Sequence, residues 1–60
     1  MDWKRVTADR IRSGKYSVVK ESVFEEVWYM AEYAGELLTV AYAADVAKSK
    51  CERHAAEVAQ

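Results

Sequence analysis

Two periodicities compete along this chain of 60 residues. Tyr16-Ser17-Val18-Val19-Lys20 is short and β-branched, which favours a strand. Ser13-Gly14 before it and Gly35 further on mark turns, because Gly tolerates positive φ. Val27-Trp28-Tyr29-Met30-Ala31-Glu32-Tyr33 predicts a second, aromatic-rich strand. At a strand period of 2, its faces are Val27/Tyr29/Ala31/Tyr33 and Trp28/Met30/Glu32. Glu36-Leu37-Leu38 predicts a third strand after the turn, and Arg10-Ile11-Arg12 adds a short edge segment before Tyr16.

From Ala43 onward the period changes. Val46, Ala47, Lys50, Cys51, His54, Ala55 and Val58 fall on one helical stripe, with Asp45, Lys48, Ser49, Glu52, Arg53 and Glu57 opposite. Lys48–Glu52 and Arg53–Glu57 are four apart and add weak helical pairs. A helical reading of the middle competes with the strands. Val19, Val23, Val27, Met30, Ala34, Leu37, Leu38 and Ala41 also recur at helical spacing, and Ser22-Val23-Phe24-Glu25 resembles a capping box. Periodicity alone leaves both open.

Composition narrows the class. Hydrophobic residues at 52% and charged residues at 32% fit a globular chain and not a disordered one. The length suits a single small domain over residues 1–60, which buries only about 60% of its unfolded surface. Two Trp, four Tyr and one Phe compensate, since each aromatic removes roughly 150–250 Å² from water. A homodimer is the other usual remedy for a small core. No apolar run approaches the ~18 residues of a membrane span, and no signal-peptide core follows Met1. Cys51 stands alone, which excludes an internal disulfide. These features predict a cytoplasmic protein with no membrane partner.

The charges are segregated. Residues 1–20 carry Lys4, Arg5, Arg10, Arg12, Lys15 and Lys20 against Asp2 and Asp9; residues 21–45 carry Glu21, Glu25, Glu26, Glu32, Glu36 and Asp45 with no basic residue. Such blocks either present a basic and an acidic face to partners or neutralise each other across neighbouring strands.

The candidate chemistry is thin. Cys51 and His54 could share one side of a helix, but two ligands fall short of the four that a structural zinc site uses. No third orienting group or oxyanion loop accompanies them as a nucleophilic pair, so a buried thiol and a His covering the sheet edge is the plainer reading. Glu25, Glu26 and Glu32 have little depth in which to be desolvated for acid–base work. No enzyme, metal or cofactor is expected.

The landmarks Trp3, Ile11-Arg12-Ser13-Gly14, Tyr16-Ser17-Val18-Val19-Lys20, Trp28-Tyr29-Met30-Ala31, Gly35-Glu36-Leu37-Leu38 and Ala47-Lys48 through Cys51-Glu52 to His54 together resemble a pattern in small phage and prophage proteins. The resemblance spans about residues 3–54. It implies an antiparallel sheet followed by one helix, and it implies no activity. The chain departs from that pattern at the helix entrance, where Tyr42-Ala43-Ala44-Asp45 replaces a Ser or Thr cap; Thr39 is an alternative cap for an earlier start. The strand-strand-strand-helix order is also similar to the DNA-binding modules of plant ethylene-response factors and of phage integrase amino-terminal domains. Here the third strand lacks the Arg and Lys that would read bases, and its acidic neighbours repel phosphate.

The expectation is an α+β fold: a three-stranded antiparallel sheet with one C-terminal helix packed on one face. The expected role is a non-enzymatic phage or prophage accessory protein, acting in the bacterial host cytoplasm. It would bind and modulate a host or phage macromolecule, a protein or ribonucleoprotein, with inhibition of host defence as one form. Trp28, Met30, Glu25, Glu26 and Glu32 are the expected partner-binding residues. The alternative is a nucleic-acid-binding sheet module using Arg5, Arg10, Arg12, Lys15 and Lys20.

Overall fold

The computed structural model describes residues 1–59. Its elements run β1 (Lys4–Thr7), β2 (Arg10–Ser13), β3 (Tyr16–Val23), β4 (Glu26–Tyr33), β5 (Glu36–Ala41) and α1 (Ala44–Val58). The strands form one antiparallel meander in the order β1-β2-β3-β4-β5, with α1 on one face. The α+β class and the C-terminal helix are as expected; the sheet has five strands where three were expected. The helical reading of the middle fails at its own signature, since Ser22 and Val23 belong to β3 and Phe24-Glu25 is a turn. β1 escapes pattern reading because Lys-Arg-Val-Thr is exposed at every position and shows no alternation.

Every hairpin connection is two residues long, and three of them carry positive φ. Ala34 (52°) and Gly35 (87°) are both left-handed, the pattern of a type I′ turn, whose twist matches that of the flanking strands. Gly14 (61°) fills the first central position of the β2–β3 turn. Phe24 (57°) fills the equivalent position of the β3–β4 turn without a glycine's freedom, where the left-handed region costs an L-residue roughly 1–2 kcal/mol.

Register sorts the side chains into two faces. Tyr16↔Tyr33, Val18↔Ala31 and Lys20↔Tyr29 pair across β3 and β4, and Ile11↔Val18 extends that face to β2. This is the helix-covered face: Tyr16, Val18, Ala31 and Ala41 from the sheet and Ala47 and Cys51 from α1 form the buried core. A bulge in β5 keeps it continuous. Ala31 pairs with Thr39 and Glu32 with Leu37, so Leu38 is the inserted residue. Leu38 and Ala41 are three apart and would otherwise point to opposite faces; with the extra residue, both meet the core.

The interface is built of small residues. Ala31, Ala47 and Cys51 are each 0% exposed, so helix and sheet approach closely while larger rings close the rim. Trp3, Ile11, Tyr29, Tyr33, Leu38 and Ala55 pack around the buried cluster. The helical stripe is shifted from expectation: Val46 and Val58 are exposed, and Lys48 lies half-buried nearer the sheet. The helix begins at Ala44 behind an extended Ala43 that makes no side-chain cap bond, and Thr39, the alternative cap, sits in β5. Replacing Ala47 by Leu should lower unfolding free energy by about 1–3 kcal/mol, read from urea denaturation, because overpacking forces the layers apart. An unchanged midpoint would show that α1 does not sit this close.

Candidate docking surface

The face opposite the helix has no covering layer. Its central row crosses four strands as Arg10, Val19, Met30 and Val40, all in register. The next row runs Lys4, Arg12, Ser17, Glu32 and Leu37. On the other side of the central row, Trp28 pairs with Glu21, and Val23 with Glu26. Leu37 is 57% and Val40 50% exposed, while Trp28, Met30 and Val19 are half-buried by their neighbours. The result is an apolar strip with carboxylates on both margins, Glu32 on one and Glu21 and Glu26 on the other, and guanidinium groups at its end. Exposed apolar patches rimmed by polar residues are a common feature of docking surfaces.

Of the expected partner-binding residues, Trp28, Met30, Glu26 and Glu32 share this face, and Glu25 sits in the turn beyond it. Glu32 is tied to the sheet by Arg10, whose Nη1 donates to Glu32 Oε1 at 3.4 Å, spanning β2 to β4 across the intervening strand. That pair neutralises part of the segregated charge, so the acidic character of the face concentrates at Glu21, Glu25 and Glu26.

The expected nucleic-acid residues are divided by register. Arg10 and Arg12 lie on the helix-free face, whereas Arg5 and Lys20 pair with Ile11 and Tyr29 on the helix side. Lys15 occupies a turn, and Arg12 Nε donates to the Gly14 carbonyl at 2.9 Å. No single phosphate-tracking stripe contains all five.

One feature escaped sequence reading. The neighbours of the β3–β4 hairpin stop early: β2 pairing ends at Arg10↔Val19 and β5 pairing at Tyr29↔Ala41, with one further bond from Lys20 N–H to the Asp9 carbonyl (2.7 Å). Beyond that, Glu21↔Trp28, Ser22↔Val27 and Val23↔Glu26 have only each other. These residues form a two-stranded arm that gives the molecule its 41 × 19 × 18 Å shape. An isolated two-stranded ribbon is marginal in water, so the arm exposes both edges and its tip for little folding benefit. At the tip Phe24 is 101% exposed and left-handed. A Gly at residue 24 would have signalled the turn; Phe concealed it.

The helix-side polar cluster has a structural explanation. Tyr16 Oη and His54 Nδ1 are 2.8 Å apart, the hydroxyl donating when His54 carries its proton on Nε2. The His54 ring also stacks on Tyr33 at 4.9 Å, and Tyr33 on Tyr16 at 4.7 Å. His54 is thereby turned to the aromatic pair, while Cys51 is wholly buried on the sheet-facing side of α1. Among the described residues no group of three or more His, Cys, Asp or Glu side chains could hold a metal ion. No helix among them is long and apolar enough to cross a membrane. Neither a family model, a curated protein nor a solved structure matches the chain.

Burial pushes the Cys51 thiol above its ordinary value of 9.0, helped by the Glu52 carboxylate. Burial likewise raises the Tyr16 phenol above 10.0, with the Tyr33 and Cys51 anions adding repulsion. For a pKa raised by folding, the stabilising contribution is complete below the unfolded value and is lost as pH climbs through the folded one. The urea midpoint should therefore hold up to pH 9.0 and fall above it. Cys51→Ala should flatten the part of that fall between pH 9.0 and 10.0. An aromatic disulfide reagent should label Cys51 only at the rate of native-state opening; immediate labelling at neutral pH would mean that the thiol is not covered.

Proposed function

We propose that this chain is a non-enzymatic docking module that binds a protein, or the protein part of a ribonucleoprotein, through the helix-free face of its sheet. The observation that carries the reading is the in-register row Val19–Met30–Val40, flanked by Trp28 and Leu37 and left without a covering layer. Trp28 and Met30 are the anchors: large, partly held in place by their neighbours, and accessible at one face. Glu21, Glu26 and Glu32 edge the strip, which suits a partner with an apolar patch bordered by Lys or Arg. The resemblance to phage and prophage proteins supports a target among host or phage macromolecules, with inhibition of a host defence complex as one form of that role. The division of Arg5, Arg10, Arg12, Lys15 and Lys20 between two faces and a turn favours a protein partner over duplex DNA.

Affinity capture from bacterial lysate, with substitutions as the readout, tests this. Trp28→Ala and Met30→Glu should each weaken retention of a specific partner at least about tenfold, the effect of losing an interface anchor. Glu57→Ala, on the exposed side of the helix, should retain it in full. Equal retention by all three would put binding elsewhere. Retention that instead follows nucleic acid and collapses with added salt would favour the DNA-binding reading.

A further inference from the structure

On the opposite side of the molecule from the proposed docking strip, a cavity of about 190 Å³ opens where the β1–β2 hairpin, the root of the arm and the start of α1 meet. Ile11, Val18 and Tyr29 give it an apolar floor, Arg5, Lys20 and Lys48 converge on it from three elements, and Arg10, whose guanidinium is paired with Glu32, completes the basic part of its lining. Asp9 is the only carboxylate in its lining. Among the described residues, none of these three cations has a carboxylate within 4.0 Å; the ion pairs are Arg10–Glu32 and the Met1 amino group with Glu52. An apolar hollow of roughly 150 Å³ accepts a benzene ring, so this one is large enough for a phenyl side chain.

The arm carries the complementary feature. Phe24 projects with 101% exposure from a left-handed turn position, and Glu25 beside it in the turn adds a negative charge. Nothing in its own fold uses this ring. Ala34 takes the same left-handed position at another hairpin but carries no ring. Phe24 cannot reach the cavity of its own chain, because a straight strand carries it about 13 Å beyond Lys20 at about 3.3 Å per residue.

We infer that the arm is an exchange element: Phe24 of one copy seats in the cavity between Ile11, Val18 and Tyr29 of a second copy, with Glu25 beside it in the turn meeting Arg5, Lys20 and Lys48. Tip and cavity lie at the two ends of the same arm. A two-fold axis across the arm near the Ser22↔Val27 pair therefore satisfies both contacts at once, with the two arms antiparallel and their helix-side faces together. The assembly closes as a dimer and leaves the Trp28–Met30 face free, so it stands apart from the docking reading.

Sedimentation of the full chain from about 10 μM to about 1 mM reads the association. The wild type should dimerise in this range, and raising salt from about 50 mM to about 500 mM should weaken the dimer at least about tenfold. Phe24→Gly should remain folded by circular dichroism, since Gly suits the left-handed position, and should sediment as a monomer. The decisive pair reverses the charges. One chain carries Glu25→Lys, the other Arg5→Glu and Lys48→Glu; each should be monomeric alone, and an equimolar mixture should form heterodimers. A wild type that stays monomeric throughout would overturn the inference. So would a dimer that survives Phe24→Gly, or a charge-reversed pair that fails to associate on mixing while both chains remain folded.

Discussion

The close approach of α1 to the sheet is the constraint on which the rest depends. Ala31 on the central β4, with Ala47 and Cys51 on the helix, has no exposed surface at all, and side chains this small bring the two backbones together. That contact selects which face of every strand is covered. Because side chains alternate, fixing Ala31 against the helix sends Met30 and Glu32 to the other side and, through the ladder, Val19 and Val40 with Met30. The uncovered strip is thus a consequence of the core.

The same constraint limits what the layers can cover. A helix of 15 residues centred on Ala47 and Cys51 reaches one end of the sheet near Tyr29 and Lys20 and leaves the rest of the β3–β4 hairpin unsupported. The arm and the cationic cavity at its root arise together, where the covered sheet ends. A small domain has little core to spare, and here the arm that projects beyond it is tipped by a fully exposed phenyl ring.

The aromatic cluster at the other end of the interface supplies order where the small residues stop. Tyr16, Tyr33 and His54 stack around one hydrogen bond, and the ring pair lets a two-layer body without a large aliphatic core hold its helix in place. Cys51 beneath them acts as a small hydrophobe, its reactivity suppressed by the burial that makes it useful for packing.

Much of this was legible in the chain. Tyr16–Lys20 and Val27–Tyr33 announce themselves by β-branching, aromatic content and period-two alternation, and the stretch after Ala43 by its helical stripe, since local sterics and spacing suffice for those assignments. The two alternative faces of β4 could be written down in advance, but the choice between them could not. It depends on which face meets α1, a contact between residues distant in sequence. Lys4–Thr7 was silent because an exposed edge strand has no side to bury, and the bulge at Leu38 because only the finished ladder shows an extra residue. The division of Arg5 and Lys20 from Arg10 and Arg12, and the meeting of Arg5, Lys20 and Lys48 at one cavity, likewise depend on register and on where the helix begins. Sequence by itself determined the local elements and the stock of charges and rings; tertiary structure alone decided which of them share a surface, because a shared surface is set by long-range pairing that no local preference encodes.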